Sequence, residues 1–287
     1  MAATKQILTD RAQNPSQIRQ ETAITGLPLF FRLSGPEDRP VVLFLHGFLG
    51  SGQEWEEIIS HLAERFRCLT VDLPGHGRSA SLDRRRSWSM ENTAKGAIAL
   101  LEKLGIHKCF LAGYSMGGRL ALYLALHYPR YFAKVILESA SPGLKTEPER
   151  RERIARDEQL ARRLEAGDFR EFLHGWYRQP LFQTLVQHPR FEEIFQNRLQ
   201  NDPRGLAKSL RDMGTGAQPS LWEQLPGNKI PLLLVVGEKD AKFRALAGEM
   251  AEHCRAIRIE TIAGCGHNVH FENAGAFAEA LIKFASE

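Results

Sequence analysis

Short apolar runs alternate along this chain with longer stretches in which apolar positions recur every three or four residues. The short runs are Val41–Leu45, Cys68–Val71, Cys109–Ala112, Val135–Leu137, Leu232–Val236 and Ile257–Ile262. Several are apolar at nearly every position, as in parallel strands covered on both faces. The longer stretches predict helices over Gln53–Arg65, Ser89–Leu104, Met116–Tyr128, Ala245–His253 and Asn273–Phe284. Strand then helix, repeated, predicts an α/β fold: a central, mostly parallel sheet flanked by helices. Leu29–Leu33 reads as an antiparallel edge strand at the start. From Pro142 to about Gly227 the rhythm breaks. This Arg- and Glu-rich stretch has a helical pattern, punctuated by Pro148, Pro180, Pro189, Pro203 and Pro219. It predicts a helical cap, or lid, inserted between two strands. The expected organisation is a leader at 1–26, a core at 27–141 and 228–287, and the cap at 142–227.

Composition narrows the function classes. With 43% hydrophobic and 25% charged residues among 287, the chain is globular, which excludes wholesale disorder. Thirty-eight basic against 34 acidic side chains give +4, too weak a balance to make nucleic acid the expected partner. No apolar run approaches the roughly 18–20 residues of a membrane helix, so no membrane association is expected. The leader mixes Lys5, Asp10, Arg11, Arg19 and Glu21 with scattered apolar residues and has no compact apolar centre. That argues against a secretory signal, and its acids argue against a transit peptide; it reads as a loose or weakly helical leader. Cys68, Cys109, Cys254 and Cys265 form no C-x-x-C pair and no zinc pattern. They read as reduced thiols of a cytoplasmic protein, Cys68 and Cys109 as core residues.

The chemistry centres on Gly113-Tyr114-Ser115-Met116-Gly117, a G-x-S-x-G turn between a predicted strand and a predicted helix. The glycines permit a sharp, strained turn that lifts the Ser115 hydroxyl above the sheet, with the Met116 amide aimed at the same spot. A serine hydroxyl is a poor base or nucleophile at neutral pH; it needs a histidine, and the histidine needs an acid to orient it. Leu232–Val236 leads into a loop bearing Glu238 and Asp240, and Ile257–Ile262 into Gly264-Cys265-Gly266-His267. Asp240, deeper in its loop, is favoured over Glu238, and His267, with its Gly-x-Gly approach, over His270. His270 reads as a partly buried neighbour making a backbone hydrogen bond. The order Ser115, Asp240, His267 is that of the α/β hydrolases. An oxyanion hole needs a second donor, and the Phe48 amide in His46-Gly47-Phe48-Leu49-Gly50 is placed to supply it. Asp72–Ser79 reads as a structural turn, with His76 as scaffold.

Beyond these motifs, several segments are similar to the 2-succinyl-6-hydroxy-2,4-cyclohexadiene-1-carboxylate (SHCHC) synthases of menaquinone and phylloquinone biosynthesis, members of the α/β-hydrolase superfamily. They are His46–Gly52, Gly113–Arg119, Glu138–Leu144, Trp176–Phe182, Gly237–Phe243 and Gly266–Glu272. The resemblance runs from about Leu29 to Phe284; the leader before Leu27 departs from it. It implies a lyase that eliminates pyruvate from a small ring bearing three carboxylates, with no metal or organic cofactor. It also implies that Arg119, Arg153 and Arg198 bind carboxylates and that Tyr114 and Trp176 line the pocket. The sequence agrees in kind: Gly143–Gly227 carries 12 Arg but 2 Lys, and a guanidinium suits bidentate carboxylate binding. Arg119 falls one helical turn after Ser115. Arg153 shares a face with Leu160 and Leu164, and Arg198 with Phe191, Ile194 and Phe195; Arg150 rivals Arg153. The expected partner is thus a small tricarboxylate, bound by a monomer or weak homo-oligomer. The same triad also serves esterases, thioesterases or carbon–carbon hydrolases acting through an acyl-serine, and non-catalytic binding proteins.

Overall fold

A computed structural model describes residues 17–21, 29–80 and 84–287. Among the described residues, eight strands form one sheet: β1 (Gln17–Glu21), β2 (Phe30–Ser34), β3 (Val41–Leu45), β4 (Arg67–Val71), β5 (Cys109–Tyr114), β6 (Phe132–Glu138), β7 (Leu232–Gly237) and β8 (Ile257–Ile262). Their order across the sheet is β1-β2-β4-β3-β5-β6-β7-β8. From β4 to β8 every pairing is parallel, while β2 runs antiparallel to both β4 and β1. The antiparallel strand expected at Leu29–Leu33 is therefore present, but it is not the edge.

The leader is the main departure from expectation. Gln17–Glu21, read as loose or weakly helical, adds a strand outside β2. Its sequence, Gln-Ile-Arg-Gln-Glu, has no apolar alternation; main-chain pairing with β2 does not require one. The rest of the expected leader lies outside the described residues.

Helices α1 (Glu56–Leu62), α2 (Met90–Lys103), α3 (Met116–His127) and, later, α9 (Ala241–His253), α10 (Val269–Glu272) and α11 (Ala274–Ser286) belong to the sheet layers. Two apolar cores result. One packs α2, α3 and α9 on one face, with Leu43, Leu45, Leu111, Val135 and Leu234 pointing into it. The other packs α1 and α11 on the opposite face around Val42, Phe44, Ala112, Ile136 and Val235. Alternate residues of β3 to β7 feed opposite cores, which is why these runs carry no polar alternation. All four cysteines are buried and unpaired.

Between β6 and β7 come only helices: α4 (Glu147–Ala166), α5 (Phe169–Tyr177), α6 (Gln183–Val186), α7 (Phe191–Arg198) and α8 (Pro203–Met213). Thr146 and Glu149 close the first turn of α4 with a reciprocal cap. The cap has its own core of Ala161, Leu164, Phe172, Leu173, Ile194, Phe195, Leu206 and Leu210. Leu49, from the loop after β3, is buried in that same core. Asn201 adds a polar tie, donating to the Leu49 carbonyl (2.8 Å) and accepting from the Gly77 amide (3.0 Å). The cap is thereby seated over the loops at the carboxyl ends of the strands, where ligands bind in open α/β sheets.

Candidate active site

Ser115 stands between β5 and α3 with φ +49° and ψ −106°, a conformation that L residues rarely adopt. The sequence makes this turn possible by what it leaves out. A Cβ at Gly113 would meet the Gly117 carbonyl at 2.5 Å, and one at Gly117 would run into the Leu45 and His46 carbonyls. The Ser115 amide donates to the Glu138 carbonyl (2.8 Å), and its own carbonyl accepts from the Arg119 amide (2.9 Å).

Three expected residues come together in a chain. The Ser115 Oγ lies 3.3 Å from His267 Nε2, and His267 Nδ1 lies 2.8 Å from Asp240 Oδ2. Asp240 Oδ1 also caps α9 by accepting from the Phe243 amide (3.2 Å). His267 is 2% exposed and Asp240 5%, so water competes little for these bonds. Glu238 is turned away, accepting from the Gly264 amide at 2.9 Å. His270 differs from expectation. It is fully buried, and its partner is the Glu138 carboxylate, which accepts from both its ring (2.7 Å) and its amide (3.0 Å).

Beside the serine, the loop after β3 is tightly built. The Gly50 amide donates to the Gly47 carbonyl (3.0 Å), Leu49 takes φ +70°, and a Cβ at Gly47 would lie 3.6 Å from that of Ser115. Phe48 sits in this turn. Met116 is the first residue of α3, where amides lack intrahelical acceptors. His46 bridges the neighbouring loop: Nδ1–H donates to the Gly47 carbonyl (2.7 Å) and Nε2 accepts from the Leu73 amide (2.9 Å). Burial drives its pKa down to about 3, the direction its acceptor role requires. Asp72 holds the same region by accepting from the Gly52 and Arg78 amides.

The expected arginines are placed unequally. Arg119 is buried, with Nη1 donating to Gln218 Oε1 (2.8 Å). Burial and then the charge of Arg153 pull its pKa down to about 10, opposed by Asp157. Arg153 is about a third exposed and donates to the buried Asp157 (2.8 Å), whose second oxygen has no hydrogen-bond partner among the described residues. Arg198, from α7, is buried against the Glu54 carboxylate and donates to the Tyr177 hydroxyl (3.1 Å). Burial pulls its pKa down to about 9. Arg150, the rival, donates to the Gly216 carbonyl (3.3 Å).

The aromatics divide. Trp176 is half-buried, its ring 5.2 Å from that of Phe48 and 6.0 Å from that of Phe182, and the Phe182 ring is 5.9 Å from His267. Tyr114 instead faces the α1/α11 side, between His267 (5.5 Å) and His270 (4.9 Å). Glu54, Asp157, Gln218, Asn201 and Glu138 carried no signal by spacing; only Glu138 lay inside a segment that the resemblance picked out.

The chain matches the α/β-hydrolase-fold family over residues 40–274. It is 36% identical over 252 residues to the 2-succinyl-6-hydroxy-2,4-cyclohexadiene-1-carboxylate synthase of Salmonella paratyphi C, spanning 87% of this chain and 95% of that one. This chain belongs to the SHCHC synthase family of α/β hydrolases. Among solved structures it superposes on MenH from S. aureus with a TM-score of 0.85 and 33% identity, covering 89% of this chain and 97% of that one. It is also 38% identical over 259 residues to the chloroplastic protein PHYLLO of Arabidopsis thaliana, but spans only 15% of that longer protein. No helix among the described residues is long and apolar enough to cross a membrane.

Proposed function

We propose that the protein is a lyase of menaquinone or phylloquinone biosynthesis. It eliminates pyruvate from 2-succinyl-5-enolpyruvyl-6-hydroxy-3-cyclohexene-1-carboxylate, leaving SHCHC. The observation that carries the reading is the Ser115–His267–Asp240 chain lying under the cap, with Arg119 of α3 and Arg198 of α7 buried. His267, oriented by Asp240, takes the Ser115 proton. The Ser115 oxygen then removes a proton from the ring carbon alpha to the succinyl ketone. Charge developing on the ketone oxygen is met by the Phe48 and Met116 amides. The electrons released form the conjugated ring and break the bond to the enolpyruvyl oxygen. The departing enolate leaves as pyruvate once protonated, and Ser115 and His267 return to their starting states. No acyl-enzyme forms.

Arg119, Arg153 and Arg198 bind the substrate carboxylates, and Trp176 packs on the ring. Tyr114 supports His267 from behind. The small-molecule site, the buried reduced cysteines and the balanced charge suit a cytoplasmic enzyme acting without a macromolecular partner.

The test is a coupled assay in which the unstable tri-acid is generated in situ and both pyruvate and the diene chromophore are followed. Ser115→Ala is expected to lose at least about a thousand-fold in turnover while still binding substrate. Near-normal elimination by that variant removes serine from the role of base.

A further inference from the structure

Glu138 ends β6 and faces two parts of the site at once. Its main-chain carbonyl accepts the Ser115 amide at 2.8 Å. Its carboxylate, fully buried, accepts the His270 amide (3.0 Å) through Oε1 and the His270 ring (2.7 Å) through Oε2. With Nδ1 donating to Glu138, the other ring nitrogen, Nε2, is buried without a hydrogen-bond partner among the described residues. The ring is clamped by Trp55, stacked at 4.2 Å, and by the edge of Tyr114 at 4.9 Å. His270 lies on α10, just after the loop that carries His267, and nothing in the proposed elimination uses either member of this pair. A buried carboxylate–imidazole pair adds little stability over a packed apolar one. What this one does is join the two loops whose separation governs catalysis.

We infer that Glu138 and His270 are positioning residues: Glu138 holds the Ser115 amide with its backbone and the His267 loop with its side chain, fixing serine and imidazole relative to each other. The inference rests on the proposed roles of Ser115 and His267. A displacement of about 1 Å between reacting groups costs on the order of a hundred-fold in rate, so this join governs kcat rather than substrate affinity. It also carries charge. His267 is faced by Asp240 at Nδ1 and by Ser115 at Nε2, by Tyr114, Phe182 and Phe243 around the ring, and by Glu272, which accepts the amides on either side of it (2.8 and 3.3 Å). Glu138 lies beyond Tyr114, and Lys239 beside Cys265.

The test uses the full chain and a fluorophosphonate that reacts with Ser115, its rate followed against pH, so that the readout is independent of the tri-acid. Glu138→Gln keeps the shape of the side chain and is expected to slow labelling about ten-fold or more. His270→Asn is expected to slow labelling similarly, and serves alone if Glu138→Gln does not fold. With the tri-acid, both should lower kcat while KM stays within about two-fold. Labelling within two-fold of wild type in the folded variants overturns the inference, as does a raised KM with an unchanged kcat. Normal wild-type labelling without pyruvate release would instead overturn the lyase reading and leave this one standing.

Discussion

Mild acid should weaken this protein through two histidines that take no part in the reaction. His46 and His76 are both fully buried, their rings 5.1 Å apart, and each donates from Nδ1 to a carbonyl. Burial lowers both from 6.5 to about 3, with the neighbouring His46 adding to the shift at His76. In the unfolded chain each titrates near 6.5. As pH falls from 7 the unfolded state therefore gains protons that the folded state refuses, and stability falls with it. The loss runs from about 6.5 down to about 3, where the folded forms also protonate. Between pH 7 and 5 each histidine costs about 2 kcal/mol, so the pair costs about 4 kcal/mol. That is a large share of a typical 5–15 kcal/mol.

Urea denaturation at pH 7, 6 and 5 measures the effect. With a slope of about 2–3 kcal/mol per molar, the midpoint should drop by about 1.5 M. Asp72, whose carboxyl is pushed up by burial, works in the opposite sense, so the variants carry the argument. His76→Gln should halve the pH dependence, whatever it does to stability at pH 7. A variant whose midpoint falls with pH as steeply as that of wild type would refute the reasoning.

Other perturbations have equally local causes. Gly117→Ala drives a methyl into the Leu45 and His46 carbonyls; it should cost about 1–3 kcal/mol in urea denaturation and abolish turnover by shifting Ser115. Asn201→Ala strips partners from the Leu49 carbonyl and the Gly77 amide, and should cost about 2–4 kcal/mol with a larger fall in kcat than in binding. Arg198→Met leaves Glu54 buried and unpaired, a loss of about 3–5 kcal/mol that Arg198→Met with Glu54→Gln should partly restore, as read by thermal unfolding.

How far the sequence showed this depends on whether a residue's partner is near in the chain or fixed by the topology. Ser115, Asp240 and His267 each follow an apolar run, and in a parallel sheet such loops gather at one edge, so the triad could be inferred from motif and order. The G-x-S-x-G turn is local as well: its glycines are demanded by atoms of the same turn and of the adjacent strand. β1 was not visible, because five residues held by main-chain pairing need no apolar pattern. Nor were the ties that set the site's dimensions. Asn201 reaches Leu49 across 152 positions and Glu138 reaches His270 across 132, and no helical or strand period connects such pairs.

The arginines show where residue type alone misleads. Three guanidiniums for three carboxylates suggests a strongly cationic pocket. Folding places Asp157 against Arg153 and Glu54 against Arg198, because a buried cation without a partner is costly. Three cations and two acids leave a formal excess of one positive charge, far less than the substrate's three negative ones. On the proposed roles of these arginines, selectivity comes from where the remaining N–H donors point, not from bulk attraction. Arg198 is ion-paired with Glu54 and donates to Tyr177, and Arg119 donates to Gln218. The Asp157 and Glu54 pairs also hold these forks in place, which on their proposed roles leaves less ordering to be done on binding. A pocket that worked by net charge would lose affinity steeply with salt; one that works by preset geometry in a buried site is screened much less.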